Sequence, residues 1–121
     1  MTGTLATTAM YRVALSDLVP PPTGVAVSMD EETAVLRVEF DVPDSPGTRT
    51  AAIHNLIAGY HAVLLQDVPA PERLEAVGSH ASTEGTLEFT VEKSLVEDCI
   101  AGEYDEDELL ERVAAANDQL S

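Results

Sequence analysis

From Ala51 to Gln66 the chain carries no Asp, Glu, Lys or Arg, although the other 105 of its 121 residues hold 28 of them. A solvated helix in so charged a chain would not stay neutral for sixteen residues. The segment must therefore be covered on more than one side, and that requirement constrains the fold more than any other feature. Ile53, Leu56, Ile57, Tyr60, Val63 and Leu64 recur at the i, i+3, i+4, i+7 spacing of a core-facing helical stripe. At about 100° per residue the stripe fills roughly half the circumference, and His54, Ala58, His61 and Leu65 form a second row beside it. A strip near Asn55, Gly59, Ala62 and Gln66 is the part expected to face water, while small residues at Ala51, Ala58, Gly59 and Ala62 would let another helix approach closely. A sheet is expected under the main stripe. The second row is covered either by the C-terminal helices of the same chain or by another subunit, which makes His54, Ala58, His61 and Leu65 the candidate interface.

Around this helix the chain reads as strands in pairs. Val25–Met29, a polar turn at Asp30-Glu31-Glu32, and residues 33–42 form one hairpin, with Ala34, Leu36, Val38, Phe40 and Val42 on one face and Val35, Arg37, Glu39 and Asp41 on the other. Pro43-Asp44-Ser45-Pro46-Gly47 breaks the second strand, and Ser45 or Thr48 can cap a helix starting near Arg49 that Pro69 and Pro71 end. A second hairpin pairs Arg73–Ser79 with Thr86–Glu92 through a turn at Thr83-Glu84-Gly85. Ser94 with Glu97, and Asp105 with Glu108, have the spacing of capping boxes opening two short helices around Gly102. In the last of these Leu109, Val113, Ala116 and Leu120 make a stripe. Ahead of it all, residues 11–16 alternate like a short strand, and Pro20-Pro21-Pro22 is a stiff spacer. The expected fold is α+β: two antiparallel β-hairpins packed with one long central helix and C-terminal helices, in ββαββα order. Residues 1–22 are expected as an N-terminal arm or short strand with its spacer, and residues 23–121 as one domain.

Charge narrows the function. Twenty-two acidic residues against six basic ones leave a net charge of −16, and Lys93 is the one lysine. In dilute buffer these charges repel, whereas at about 1 M salt the screening length falls to roughly 3 Å. A soluble protein of a high-salt organism fits this composition; a mimic of nucleic-acid phosphate or a binder of a basic partner are rival explanations. Nucleic-acid binding is disfavoured for want of Lys and Arg clusters. No run approaches 18 apolar residues, so no membrane span is expected. The single Cys99 and the lack of a signal-peptide pattern point to a reducing, cytoplasmic setting, or to a virion if the protein is viral.

Chemistry is thinly represented. His54 and His61 share a helix face but lie about 10.5 Å apart along the axis, too far to ligate one metal ion. His80 has Ser79 and Ser82 nearby without a nucleophile elbow, and Cys99 sits beside Glu97 and Asp98, which disfavour a thiolate. The eight acids between Glu97 and Glu111 lack the pattern of a calcium loop. No catalytic residue, cofactor or metal site is therefore assigned. The expected function is a non-catalytic assembly or structural subunit from a high-salt organism, such as a component of a haloarchaeal virus particle, with a protein partner or a second copy as its contact. The alternative is a small-molecule-binding or regulatory α+β module with its ligand between helix and hairpins.

Overall fold

A computed structural model of the chain describes residues 2–18, 23–30, 32–43, 45–66, 71–80 and 86–117, with side chains from residue 6 onward. Alternation decides the sheet. In β2 (Val35–Val42) Leu36, Val38, Phe40 and Val42 are buried while Arg37, Glu39 and Asp41 are exposed. In β3 (Arg73–His80) Leu74 and Ala76 face inward, and in β4 (Thr86–Glu92) Leu87, Phe89 and Val91 do. With β1 (Ala26–Asp30) these form one four-stranded sheet in the order β1-β2-β3-β4, with Val38 opposite both Val27 and Ala76, and Ala76 opposite Phe89. All the helices pack on the face these side chains share, and the other face carries the charged positions.

The α+β class holds, but the order αββαββαα replaces the expected ββαββα. Two antiparallel pairs are present, β1 with β2 and β3 with β4, and they merge through a parallel pairing of β2 with β3. Parallel neighbours need a crossover connection, and α2 (Pro46–Leu64) supplies it. The turn expected at residues 83–85 and the Pro20–Pro22 spacer lie outside the described residues.

The largest correction is at the N-terminus, where the expected arm or short strand is a helix, α1 (Thr2–Ser16), packed on α2 and β1. Tyr11 and Leu15 satisfy a period of two and a period of four equally well, and Val13 between them settles the matter: it is exposed, while Thr7, Tyr11 and Leu15, four residues apart, form one buried row. The Tyr11 hydroxyl donates to the Leu56 carbonyl of α2 at 3.0 Å in the interior. The two helices approach at Gly59, where an added Cβ would lie 2.9 Å from Leu15 Cδ2 and 3.0 Å from Tyr11 Cε1. Gly59 was expected to face water and is instead the seat of α1.

The helix ends depart from their expected caps in instructive ways. α2 starts at Pro46, three residues ahead of Arg49, and the Ser45 side chain makes no capping bond. α3 (Lys93–Ile100) follows β4 without a break, so Ser94 is already inside the helix and forms no capping box. α4 (Glu106–Ala116) is capped as expected by Asp105, which accepts from the Glu108 amide at 2.9 Å. Glu108 does not return the bond; its carboxylate accepts from Arg112 at 2.8 Å. Gly102, at φ 88°, turns the chain between α3 and α4 in a conformation that favours glycine. Of the stripe expected in this helix Leu109 and Val113 are buried, Ala116 is exposed, and Leu120 lies outside the described residues.

Each sheet edge is held by one side chain. Asn117, just past α4, accepts from the Thr90 amide and donates to the Thr90 carbonyl, both at 2.8 Å, so its amide stands where a fifth strand would pair. On the opposite edge Arg12 of α1 donates to the Val27 carbonyl at 3.2 Å.

Because Tyr11 is fully buried at the contact between α1 and α2, Tyr11→Ala is expected to lower unfolding free energy by about 3–5 kcal/mol. Tyr11→Phe, which removes one hydrogen bond, should cost about 0.5–1.5 kcal/mol. Urea denaturation at fixed molar KCl measures both, and equal costs would mean that α1 is not seated through the ring.

Candidate functional site

α2 has its main stripe on the sheet, with Leu56, Ile57, Tyr60 and Val63 buried, and its Ala52–Gly59 side also buried. Its remaining face is the row singled out from the sequence. His54, Ala58 and Leu65 are exposed and His61 is half-buried. α4 runs antiparallel alongside this row without closing onto it, since Asp105 and Glu106 lie near His61 and Leu65 while Leu110 and Ala114 lie near Ile53 and His54.

Between the two helices runs a groove made of three adjoining hollows. The central one, about 360 Å³, has Ile57 and Leu109 beneath, His54, Ala58 and His61 on one wall, and Glu106 and Asp107 on the other. His54, Ile57 and Leu110 continue into a hollow of about 270 Å³ that reaches Arg49, Leu87 and His80. His61 and Glu106 continue into one of about 390 Å³ bounded by Leu65, Cys99, Ile100 and Tyr104. From Arg49 to Leu65 the groove follows α2 for about 24 Å. Among the described residues three large apolar side chains are exposed, and two of them, Leu65 at 56% and Ile100 at 40%, stand together at this end.

Structure thus brings the four candidate residues onto one wall and adds partners that sequence reasoning had scattered. All three histidines line the groove, including His80, which had been considered only with Ser79 and Ser82. Cys99 and Ile100 join from α3, and Tyr104 closes the end. Tyr104 is held from two sides: its hydroxyl donates to the Leu95 carbonyl, and the Arg112 guanidinium lies 4.4 Å over its ring. Nothing local in the sequence joins His80 to His54, because their proximity depends on the parallel β2–β3 pairing.

Electrostatically the two walls differ. The α2 wall is neutral apart from its histidines and from Arg49 at one end, whose Nε donates to the Pro43 carbonyl. The α4 wall opens with Asp105, Glu106, Asp107 and Glu108. Asp105 caps the helix and Glu108 holds Arg112, leaving Glu106 and Asp107 on the rim with no hydrogen bond or ion pair among the described residues. Acidic groups there also complement the positive end of the α4 dipole.

Chemically the groove is quiet. Among the described residues no three His, Cys, Asp or Glu side chains are grouped to hold a metal ion. Nor, among the described residues, is any helix long and apolar enough to cross a membrane. Burial raises the Cys99 thiol pKa, and the Glu106 and Asp105 carboxylates raise it further. The two buried tyrosines are raised as well: Tyr11 by burial, and Tyr60 by burial and then by Glu72, Glu92 and Glu97. Comparison with protein-family models, with curated proteins and with solved structures returned no match.

Because the Cys99 thiol is held above its ordinary range, less of it is thiolate at pH 8 than for a free cysteine. Its alkylation by iodoacetamide should be slower than that of glutathione at pH 8, with the rate still climbing where glutathione's has levelled off. Glu106→Gln should shift the profile of alkylation rate against pH towards lower pH, and mass spectrometry of timed samples would follow it.

Proposed function

We propose that the chain is a non-catalytic assembly subunit of a high-salt organism, docking another polypeptide in the groove between α2 and α4. The observation that supports this reading best is that α2's uncharged outer row is left open by its own chain. In a protein with sixteen excess negative charges a row without Asp, Glu, Lys or Arg from His54 to Leu65, about 16 Å long and largely uncovered, is an unusual surface to leave against water. Its shape favours a long occupant over a compact one, because the hollows are strung along the helix and end on exposed Leu65 and Ile100. A helix laid in an apolar groove is a recurring mode of protein recognition.

The composition supports the high-salt setting. Each of the six basic residues is engaged within the chain: Arg12 and Arg49 on backbone carbonyls, and Arg37, Arg73, Lys93 and Arg112 on carboxylates. Six bases are far too few to offset twenty-two acids, so most of the repulsion has to be reduced by dissolved cations. The small-molecule reading has less support, since the groove is open along its length and has no enclosed, convergent set of polar groups.

The docking reading is tested with an uncharged probe, an amphipathic helical peptide of about 18 residues bearing a leucine stripe on a Gln and Ser background. In molar KCl it should bind with a dissociation constant in the micromolar range, measured by fluorescence anisotropy, and bind at least tenfold more weakly to Ala58→Glu. Equal binding by wild type and Ala58→Glu, with the variant's fold confirmed by circular dichroism, would remove the groove as the docking site.

A further inference from the structure

We propose that the occupant of the groove is an amphipathic helix of a different protein, with Lys or Arg along the edge that meets α4 and an uncharged edge against α2. The inference rests on the docking reading above and deepens it by naming the partner's chemistry.

Geometry sets the size. α2 packs directly on α1, and α4 on α3, while α2 and α4 face each other across the groove along about four and a half turns of α2. A single helix laid between them would present its apolar stripe to Ala58 and Leu110, above the buried Ile57 and Leu109, and reach Leu65 and Ile100 at one end. No bulky side chain from α2 obstructs that path at its middle, because the residue there is Ala58.

Charge sets the identity of the edges. The α4 rim carries Glu106 and Asp107, both exposed and neither in an ion pair among the described residues. Arg37, Arg73, Lys93 and Arg112 already sit on carboxylates and Arg49 lies at the far end of the groove, so Lys or Arg on the occupant would meet a rim that no base among the described residues has paired. The α2 wall offers His54 and His61 with Ala58 between them and holds no Asp, Glu, Lys or Arg along that stretch, so it gives a charged edge of the occupant no counter-charge to pair with. A second copy of this chain fits less well, because four of its six bases already sit on its own carboxylates, leaving few to meet the Glu106 and Asp107 rim at contact distance.

Three leucine-striped peptides of about 18 residues separate the possibilities: one with Lys and Arg on one edge, one with Glu on that edge, and one with the basic composition but a scrambled stripe. Binding to the full chain is read by anisotropy at about 0.3 M and about 2 M KCl, with amide shifts locating the peptide. The basic striped peptide should bind at least tenfold more tightly than the acidic one at the lower salt, with shifts at His54, Ala58 and Glu106. The double variant Glu106→Gln/Asp107→Asn should cut that preference to under threefold while its binding of the uncharged probe stays intact, and melting confirms that it remains folded. Raising KCl should weaken the basic peptide and leave the uncharged probe unchanged or tighter.

If basic and acidic peptides bind alike while the uncharged probe still docks, the groove is a docking site and the charge assignment is wrong. If the scrambled basic peptide binds as well as the striped one, the interaction is surface adsorption and the inference falls. A concentration-dependent dimer by light scattering, abolished by Ala58→Glu, would place a second copy in the groove and overturn it too.

Discussion

The parallel pairing of β2 with β3 is the constraint on which the other features rest. Two strands running the same way cannot be joined by a tight turn, so the chain must leave the end of β2, cross the sheet and return to the start of β3. α2 makes that crossing, which puts it over the middle of the sheet and buries Leu56, Ile57, Tyr60 and Val63 against the two central strands. The Tyr60 hydroxyl then donates to the Pro71 carbonyl at 2.8 Å, tying the helix to the segment that leads into β3. A charged residue on this stripe would need a buried partner, and the core around it is built of apolar side chains.

Once α2 is central, its two flanks are distinguished by what each neighbour can reach. On the β1 side α1 closes in tightly because Gly59 offers no side chain, and the Tyr11 ring fills the space. On the β4 side α3 and α4 are tied to the sheet edge and to each other, through Asn117 on Thr90 and through Tyr104 on Leu95 and Arg112. Those ties fix α4 over β4, and the gap to α2 stays open. The ion pairs on the outer sheet face do not alter this balance, since Arg37–Glu75 at 3.8 Å and Arg73–Glu92 at 3.9 Å are exposed contacts of the kind worth about 0–1 kcal/mol.

How much of this was legible depended on whether a signal was local. Residues 36–42 alternate and bury the expected face, whereas Ala34, at φ 55°, belongs to the turn and Val35, expected on the outer face, is buried. The stripe on α2 was equally plain, and so was the Asp105 cap. α1 was not, because Tyr11, Val13 and Leu15 imitate a strand, and Val13, which supports that reading, is 55% exposed on the outer side of the helix. The second row of α2 was visible as a row, but whether it was covered turned on Gly59: small residues marked a close helix approach without saying from which side. His80 could not be placed with the other histidines before β3 was known to lie beside β2. The Ser94 capping spacing failed for a related reason, since β4 feeds directly into α3 and leaves no free helix start to cap.

The charge asymmetry of the groove follows from rules of helix ends acting within this topology. α4 begins with acids because acids cap and complement a helix N-terminus, and Asp105 and Glu108 are spent on those roles. α2 ends without Lys or Arg, His61 being the basic residue of its last turn. The antiparallel arrangement sets the acidic start of α4 beside the end of α2, so one wall carries carboxylates outside any ion pair among the described residues and the other carries no carboxylate. Each helix terminus is ordinary by itself. Together they make an elongated groove whose two edges differ in chemistry, acidic on α4 and without carboxylates on α2.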